Sequence, residues 1–215
     1  MISTNFLRQK VLIGACLGWM LLGPAGAIYA GKYNPKLSIG DAAPALEGLE
    51  ATDGKKYSLA DFQEKRFVVL AFTCNTCPYA VDYEDRIAAL AKKLTDAGDG
   101  VVLAINANQV EDDLLPAMKQ RAEEKKFPFL YLHDATQQVA KSYGATYTPE
   151  FVVLDEHRKV VYLGAMDDSP DGKKIEKPYI DNVIAALRAG KSAEIAETPA
   201  VGCAVRYVRE RRTKK

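Results

Sequence analysis

The sequence predicts one α/β domain with a central mixed sheet flanked by helices. Three observations lead to this fold class. Continuously apolar runs, typical of strands buried on both faces, alternate with longer segments whose apolar residues recur at helical spacing. The last third of the chain adds two short strand-like runs joined by a tight turn, and then a helix. The 215 residues are 48% hydrophobic, which is enough for one sizeable core.

The elements can be placed in order along the chain. A polar arm over residues 31–44 leads into a hairpin, indicated by Asp53 and Gly54 between two semi-apolar stretches, and a short helical turn capped by Ser58 follows. The patterns then predict strand 67–72, helix 81–97, strand 101–105, helix 112–126, strand 129–132, helix 136–143, strand 151–154, strand 160–163 and helix 177–187. No second domain is expected.

The first 30 residues differ from the rest of the chain. Arg8 and Lys10 precede an apolar run over residues 11–22, and small residues follow it as far as Ala30. A positive start, an apolar middle and a small-residue end are typical of a secretory signal peptide. We therefore expect residues 1–30 to be a signal peptide, cleaved after Ala27 or Ala30. Residues 31–215 are expected to form the mature domain with a basic C-terminal tail.

Two other interpretations of this segment are less favoured. An uncleaved membrane anchor needs a span of about 20 residues, whereas the apolar run is shorter and breaks at Gly23-Pro24. A lipoprotein would need more apolar chain ahead of Cys16 than the sequence provides. The sequence thus predicts a periplasmic or secreted protein with no stable membrane anchor after signal cleavage.

Export changes the cysteine count. The mature chain keeps Cys74, Cys77 and Cys203, in a compartment where disulfides persist. An odd number means that at least one thiol is free, transient or paired with another molecule. No cofactor-binding motif occurs, and a net charge of +1 gives no global attraction to nucleic acid. We expect chemistry carried by the cysteines alone.

The strongest chemical signal is Cys74-Asn75-Thr76-Cys77, which stands between a buried strand and a helix. Backbone N–H groups at a helix N-terminus stabilise a thiolate, the attacking species in disulfide exchange. The Cys-X-X-Cys spacing lets the second sulfur resolve a mixed disulfide. A buried structural pair is less favoured. A zinc half-site would need two more ligands, and the histidines are only His133 and His157, the latter in an apparent turn.

This arrangement resembles the thioredoxin superfamily: a strand, a Cys-X-X-Cys, a helix and, well downstream, Thr148-Pro149 before another strand. The resemblance implies that Pro149 is cis and faces the cysteine pair, so that the backbone of Thr148 can hydrogen-bond an incoming peptide. It also implies that Cys74 is the attacking cysteine and Cys77 the resolving one.

An additional helix and strand, about residues 112–132, intervene between the cysteine pair and that proline. This insertion resembles the AhpC/TSA redoxin branch, which includes peroxiredoxins and exported oxidoreductases of the TlpA and ResA type. Segments 72–79, 164–170 and 201–205 are similar to those of peroxiredoxin-like redoxins that carry a Cys-X-X-Cys. The resemblance covers about residues 42–205.

Departures from these families limit what the resemblance implies. Peroxiredoxins have a threonine three residues before the peroxidatic cysteine, and the matching residue is Ala71 for Cys74 and Cys74 for Cys77. Efficient peroxidase activity is therefore not expected. Thioredoxin's tryptophan before the first cysteine is Thr73 here, and its buried acid is Val68.

A proton acceptor for Cys77 must then come from elsewhere, and Asp82 or Glu84 on the following helix is our candidate. Cys203 lies beyond the last helix, next to Gly202, whose backbone is unusually free. Two interpretations of Cys203 stay open: a third redox thiol that folds back to exchange with the pair, or an uninvolved residue.

The leading functional hypothesis is a thiol–disulfide oxidoreductase, with protein thiols and disulfides as substrates and a redox partner protein. A peroxide-reducing antioxidant is one alternative, suggested by the redoxin-like insertion. A copper chaperone similar to the Sco family is another, because soft thiolates suit Cu(I). Against it, only two residues separate the cysteines, and His133 is not where the histidine ligand of that family is expected.

Overall fold

The structure is a computed structural model and describes residues 31–209. The predicted signal peptide and the last six residues of the basic tail lie outside the described residues. Within 31–209, no helix combines the length and apolarity needed to cross a bilayer.

A seven-stranded mixed sheet lies at the centre of the fold, as the sequence predicts. The strands of the protein are β1 (Leu49–Ala51), β2 (Lys56–Tyr57), β3 (Phe67–Phe72), β4 (Gly100–Asn106), β5 (Leu130–His133), β6 (Tyr147–Thr148), β7 (Glu150–Leu154), β8 (Val160–Gly164) and β9 (Cys203–Ala204). The central sheet has the order β2-β1-β5-β4-β3-β7-β8, and β6 pairs with β9 in a separate two-stranded sheet. Strands β3, β4 and β5 are parallel, and the other pairings are antiparallel.

Strand β3 supplies both faces of the core, which explains its uninterrupted apolar sequence. Val68, Leu70 and Phe72 belong to one buried cluster, whereas Val69 and Ala71 belong to the cluster on the opposite face. Alternate residues of a strand point to opposite faces, so a central strand covered on both sides must be apolar throughout. This places the end of β3, and the cysteine that follows it, at the edge of a rigid core.

Four helices of residues 31–209 flank the sheet: α1 (Pro78–Ala97), α2 (Leu115–Lys125), α3 (Gln138–Ser142) and α4 (Tyr179–Arg188). Helix α1 begins at Pro78 rather than at residue 81, because proline is well suited to the first helical position. The helix predicted over 112–126 is divided into a 3-10 turn, Glu111–Asp113, and α2. The break fits Pro116, which is tolerated only in the first turn of a helix.

The insertion predicted between the cysteines and Pro149 is present. Strand β5 pairs with β4 on one side and with β1 on the other, so the inserted strand extends the sheet. Met118 of α2 packs against Ala104 and Tyr131 beneath it. This packing brings the 3-10 turn before α2 next to the Cys-X-X-Cys loop.

The end of the chain returns to the centre of the molecule. Strand β9 pairs antiparallel with β6, with Cys203 opposite Thr148 and Ala204 opposite Tyr147. Val205 is buried and packs in the main core cluster. The segment around Cys203 is therefore part of the packed structure rather than an appendage beyond the last helix.

Candidate active site

The two cysteines of the Cys-X-X-Cys lie at the junction of β3 and α1, as predicted. Cys74 and Cys77 are only 3% and 2% exposed, and Cys77 is the N-cap residue of α1. All three described cysteines are free thiols. The peptide bond between Thr148 and Pro149 is cis, as the resemblance implies. The structure thus brings Cys74, Cys77, Thr148 and Pro149 together.

Thr148 joins the three cysteines through hydrogen bonds. Its Oγ1 lies 3.4 Å from the Cys74 Sγ, and its carbonyl oxygen accepts a hydrogen bond of 3.0 Å from the Cys77 Sγ. The same Oγ1 donates to the carbonyl oxygen of Cys203 at 3.4 Å. Cys203 also packs directly against the small cluster formed by Cys74, Cys77 and Ala80. Thr148 therefore contacts both the Cys-X-X-Cys pair and the segment around Cys203.

Residues 201–208, which we call the strap, cover this site. Close approach is possible because Gly202 has no side chain: a Cβ there would lie 2.1 Å from the Thr148 carbonyl oxygen. The Val205 N–H donates to the Thr146 carbonyl at 3.0 Å, and the Tyr207 hydroxyl donates to the Ala145 carbonyl at 2.6 Å. The strap is thus fixed along the edge that the resemblance assigns to an incoming peptide.

Asp113, which no sequence pattern singled out, is the carboxylate that holds the Cys-X-X-Cys loop. Its Oδ1 accepts hydrogen bonds from the backbone N–H groups of Asn75 (2.6 Å) and Thr76 (3.2 Å), and its Oδ2 accepts one from the Thr76 hydroxyl (2.7 Å). Asn108 donates to the same Oδ2 at 3.0 Å and accepts from the Arg206 N–H of the strap at 2.8 Å. Asp113 and Asn108 therefore link the loop to the strap.

The proposed proton acceptors on α1 are not placed for that role. Glu84 is buried but forms an ion pair with Arg121 at 2.5 Å and a second with Lys125 at 3.7 Å, both on α2. Asp82 is exposed on the helix surface. The fully buried Asp113 is the carboxylate that contacts the Cys-X-X-Cys loop. Helix α2 therefore has two effects. Its Arg121 and Lys125 pair with Glu84, and the turn before it places Asp113 against the Cys-X-X-Cys loop.

Burial dominates the ionisation of Cys74. Loss of solvent raises the pKa of Cys74, the hydrogen bond from Thr148 lowers it, and the negative charge of Asp113 raises it again. The net effect is a raised pKa. With the strap in place, Cys74 is therefore held as a thiol.

Cys77 has the opposite balance. Burial acts to raise its pKa, but hydrogen bonds from the Cys203 thiol and from the Ala80 and Cys203 backbones outweigh it, so the pKa of Cys77 is lowered. Of the two cysteines of the pair, Cys77 is thus the one whose pKa is lowered, whereas the resemblance assigns the attacking role to Cys74. Two of the stabilising hydrogen bonds come from the strap.

A pair of substitutions at Cys203 tests this hydrogen bond. In a Cys74→Ser background, where Cys77 is the remaining thiol of the pair, Cys203→Ala removes the donor and Cys203→Ser retains a hydroxyl donor. Because the bond stabilises the thiolate, we expect a higher pKa of Cys77 in the alanine variant than in the serine variant. Thiolate absorbance against pH measures it. Equal pKa values would show that the Cys203 side chain does not act on Cys77.

Asp113 is expected to stabilise the fold as well as the loop. Asp113→Ala leaves the buried Asn108 amide and the half-buried donors of Asn75 and Thr76 without their acceptor, which should lower the free energy of unfolding by about 3 kcal/mol. The neighbouring exposed Asp112 is the control, and Asp112→Ala should change it by less than about 0.5 kcal/mol. Denaturant unfolding measures both. Equal losses would contradict the role given to Asp113.

The two histidines lie outside this constellation. His157 is exposed in the turn between β7 and β8, as expected, and its backbone N–H donates to Asp155 at 2.9 Å. His133 ends β5 and is paired in register with Glu50 and Asn106, and burial lowers its pKa. Among residues 31–209, no group of three or more His, Cys, Asp or Glu side chains is placed to hold a metal ion.

The segment 164–170, one of the three on which the resemblance was based, has a structural role. The Arg86 guanidinium donates to both carboxylate oxygens of Asp167, at 2.6 and 2.8 Å, and to the carbonyls of Ser169 and Pro170. The side chains of Arg86 and Asp167 are 16% and 3% exposed. The segment is thereby anchored to α1.

The chain is similar in sequence and fold to known proteins. The Redoxin family model matches residues 38–184. The crystal structure of an uncharacterized conserved protein from Geobacillus kaustophilus is 32% identical; the alignment covers 83% of this chain and 96% of that chain, with a TM-score of 0.76. A hypothetical protein from Sinorhizobium meliloti 1021 is 31% identical, with 82% and 98% covered and a TM-score of 0.73.

A further structure shares the fold at lower identity. The peroxidoxin BcpB from Mycobacterium tuberculosis is 23% identical, with 73% of this chain and 99% of that chain covered and a TM-score of 0.56. The fold of the chain is thioredoxin-like, as the sequence predicts. No curated protein matches the chain.

Proposed function

Because the chain belongs to the Redoxin family, we propose that it is an exported thiol–disulfide oxidoreductase that exchanges disulfides with protein substrates through Cys74 and Cys77. The single observation that carries the proposal is the meeting of this pair with the cis Thr148–Pro149 bond at the N-terminus of α1. Helix N-termini favour thiolates, and thiolates attack disulfides.

The reaction runs in two exchanges. The Cys74 thiolate attacks one sulfur of a substrate disulfide, forms a mixed disulfide and releases the other substrate sulfur as a thiolate. Cys77 then attacks the Cys74 Sγ, so that the Cys74–Cys77 disulfide forms and the second substrate sulfur leaves. Two electrons pass from the pair to the substrate, and the reverse sequence oxidises a substrate dithiol.

In the structure with the strap in place, the pKa of Cys74 is raised and that of Cys77 is lowered. Movement of the strap explains how Cys74 can nevertheless attack first. Lifting the strap removes both hydrogen bonds that Cys203 gives to Cys77, which raises the pKa of Cys77. It also takes Cys203 away from the cluster with Cys74, and renewed solvation weakens the burial that raises the pKa of Cys74. Arrival of a substrate in place of the strap therefore shifts the thiolate toward the attacking cysteine.

Exposed apolar side chains around the site support a protein substrate. Tyr79 follows the proline after Cys77, and Tyr147 precedes Thr148; each is exposed by 42%. They suit an extended peptide that replaces the strap along β6, by the strand-addition mode of recognition.

Reduction of a protein disulfide tests the proposal. With dithiothreitol as electron source, we expect the protein to accelerate insulin reduction well above the rate with dithiothreitol alone. A midpoint potential near or below about −250 mV would then assign it as a reductant, and one near about −120 to −180 mV as an oxidase or isomerase. Failure to reduce or oxidise any protein dithiol or disulfide would remove the proposal.

Export is tested separately by sequencing the N-terminus of the protein recovered outside the cytoplasm of a bacterial host. The signal sequence features of residues 1–30 support a mature chain that begins at Ile28 or Gly31. Recovery only inside the cytoplasm, with Met1 retained, would contradict export.

Peroxide reduction is a second candidate, favoured by the burial of both sulfurs beneath the strap. A small peroxide needs less opening than a protein does. The attacking thiolate would take one peroxide oxygen and become a sulfenic acid, with release of water or an alcohol; the second cysteine would then form the disulfide and release water. Stopped-flow consumption of peroxide no faster than that by a free thiol would exclude this candidate.

A further inference from the structure

The strap presents a cysteine to the redox pair in the manner of a bound peptide. Strand β9 adds antiparallel to β6 immediately before the cis proline, and the register sets Cys203 opposite Thr148. This is the backbone edge that an incoming peptide would use. The chain therefore supplies its own occupant for that edge, and the residue nearest the pair is a cysteine.

Side-chain contacts bring the third sulfur to Cys77 in particular. Cys203 packs against the cluster of Cys74, Cys77 and Ala80, and interaction with the Cys77 side chain is the largest cause that raises the pKa of Cys203. The Thr148 hydroxyl, which contacts the Cys74 Sγ at 3.4 Å, also donates to the Cys203 carbonyl at 3.4 Å. The backbone and the side chain of Cys203 are therefore both held next to the pair. This favours a redox role for Cys203 over that of an uninvolved residue.

The contacts on either side of Cys203 hold it in this position. Gly202 allows the strap backbone to approach the Thr148 carbonyl. Beyond Cys203, the Arg206 N–H donates to Asn108 at 2.8 Å and the Val208 N–H donates to the Gln137 side chain at 2.8 Å. The docked strap therefore delivers one thiol to the site at high effective concentration.

We propose that Cys203 is a third redox-active cysteine, which exchanges with the Cys74–Cys77 disulfide and takes Cys77 as its partner. The inference rests on the proposed function in that the Cys74–Cys77 disulfide must form during turnover. The Cys203 thiolate attacks the Cys77 Sγ; the Cys77–Cys203 bond forms as the Cys74–Cys77 bond breaks. Cys74 leaves as a thiolate and takes up the proton that Cys203 has lost. The number of disulfides is unchanged.

Ionisation of Cys203 is coupled to the state of the pair. In the reduced protein the hydrogen bond to Cys77 is the largest cause that raises the pKa of Cys203 to about 11, and burial adds to it. A Cys77 sulfur held in a disulfide carries no negative charge to retain the Cys203 proton. Oxidation of the pair therefore lowers the pKa of Cys203, and the nucleophile becomes available when a disulfide is present to be attacked.

The exchange also determines whether the strap stays attached at the site. With the Cys77–Cys203 disulfide in place, the strap is covalently attached along β6 and excludes a peptide from that edge. Cys74 is then the remaining thiol. The Cys77–Cys203 disulfide must be reduced by a redox partner, or return to Cys74–Cys77 by the reverse exchange, before the next protein substrate can bind.

Disulfide mapping tests the inference. The purified protein and its Cys74→Ser, Cys77→Ser and Cys203→Ser variants are equilibrated with oxidised glutathione, quenched in acid, alkylated and mapped by mass spectrometry. In Cys74→Ser we expect an intramolecular Cys77–Cys203 disulfide, because an effective concentration of about 1 mM or more exceeds that of micromolar protein. In Cys77→Ser, a Cys74–Cys203 disulfide should be at least about tenfold less abundant, since Cys77 is the hydrogen-bonded neighbour.

The unsubstituted protein provides the second measurement, and it does not depend on the folding of a variant. Both Cys74–Cys77 and Cys77–Cys203 disulfides are expected in it. The inference is overturned if Cys203 is recovered fully alkylated in the oxidised protein and Cys77 carries only glutathione in Cys74→Ser. Formation of the Cys74–Cys77 disulfide in Cys203→Ser would then leave the proposed function intact, whereas its absence there would remove the proposed function instead.

Discussion

A variant with serine at both Cys74 and Cys77 is expected to lose reduction of a protein disulfide by at least about 1,000-fold, the scale at which loss of a nucleophile acts. A serine hydroxyl is not ionised near neutral pH and forms no disulfide, and Cys203 alone cannot carry two electrons. The near-isosteric changes should leave the unfolding transition close to that of the parent protein. Insulin reduction at fixed dithiothreitol measures the loss.

The exposed Lys92 on α1 gives a control on the helix that Cys77 begins. Its side chain pairs with Asp96 at the surface, and Lys92→Ala should retain the parent rate. Single variants then assign the roles: Cys77→Ser should accumulate a mixed disulfide between substrate and Cys74, which Cys74→Ser cannot form. Near-parental turnover by the double serine variant would place the chemistry elsewhere in the chain.

Gly202→Val is expected to release the strap and to increase the alkylation rates of Cys74 and Cys77 by about 100-fold, since opening energies of a few kcal/mol protect buried groups. A Cβ at residue 202 would lie 2.1 Å from the Thr148 carbonyl oxygen, and a backbone atom cannot move aside cheaply. Iodoacetamide labelling at alkaline pH, where ionisation no longer limits the rate, measures the exposure of each thiol.

Ala204→Val is the matched control in the same strand. Ala204 is exposed, so valine enlarges the side chain without meeting the backbone of β6, and alkylation should stay within a fewfold of the parent rate. If the strap excludes protein substrates, Gly202→Val should also reduce insulin faster than Ala204→Val does. Equal labelling of the two variants would contradict the shielding role of the strap.

The elements of the sheet were predictable because each is encoded locally. The apolar run of β3 and the helical spacing of α1 reflect burial that repeats along a single segment. The junction between them could be recognised as a thiolate site for the same reason, because Cys74 and Cys77 stand where a strand ends and a helix begins. The misses were the ends of elements such as the start of α1, the break between the 3-10 turn and α2, and the two-residue strands β6 and β9.

The rest of the site depends on contacts between distant segments. Asp113 reaches the Cys-X-X-Cys loop through the packing of α2, and no local period marks it as different from Asp112. Glu84 was a reasonable acceptor from its place on α1, but Arg121 and Lys125 on α2 neutralise it. These contacts join segments that are distant in the sequence, so they could not be inferred from the pattern of either segment alone.

The position of Cys203 also depends on a contact between distant segments and could not be predicted from the sequence. The sequence left open whether this cysteine reaches the pair, because only a two-residue strand pairing between β9 and β6 decides it. Such a short strand has no detectable alternation. The one local indication was Gly202, whose missing side chain the structure uses for the approach to Thr148.

Redox titration of the pair tests the central claim most directly. The Cys203→Ser variant is equilibrated in glutathione or dithiothreitol buffers of graded potential, and the thiols are counted after acid quenching. We predict one reversible two-electron transition, with a midpoint between about −270 and −120 mV, which is lost when Cys74 is also replaced by serine. The absence of any reversible transition in the Cys203→Ser protein would contradict the assignment of Cys74 and Cys77 as a redox pair.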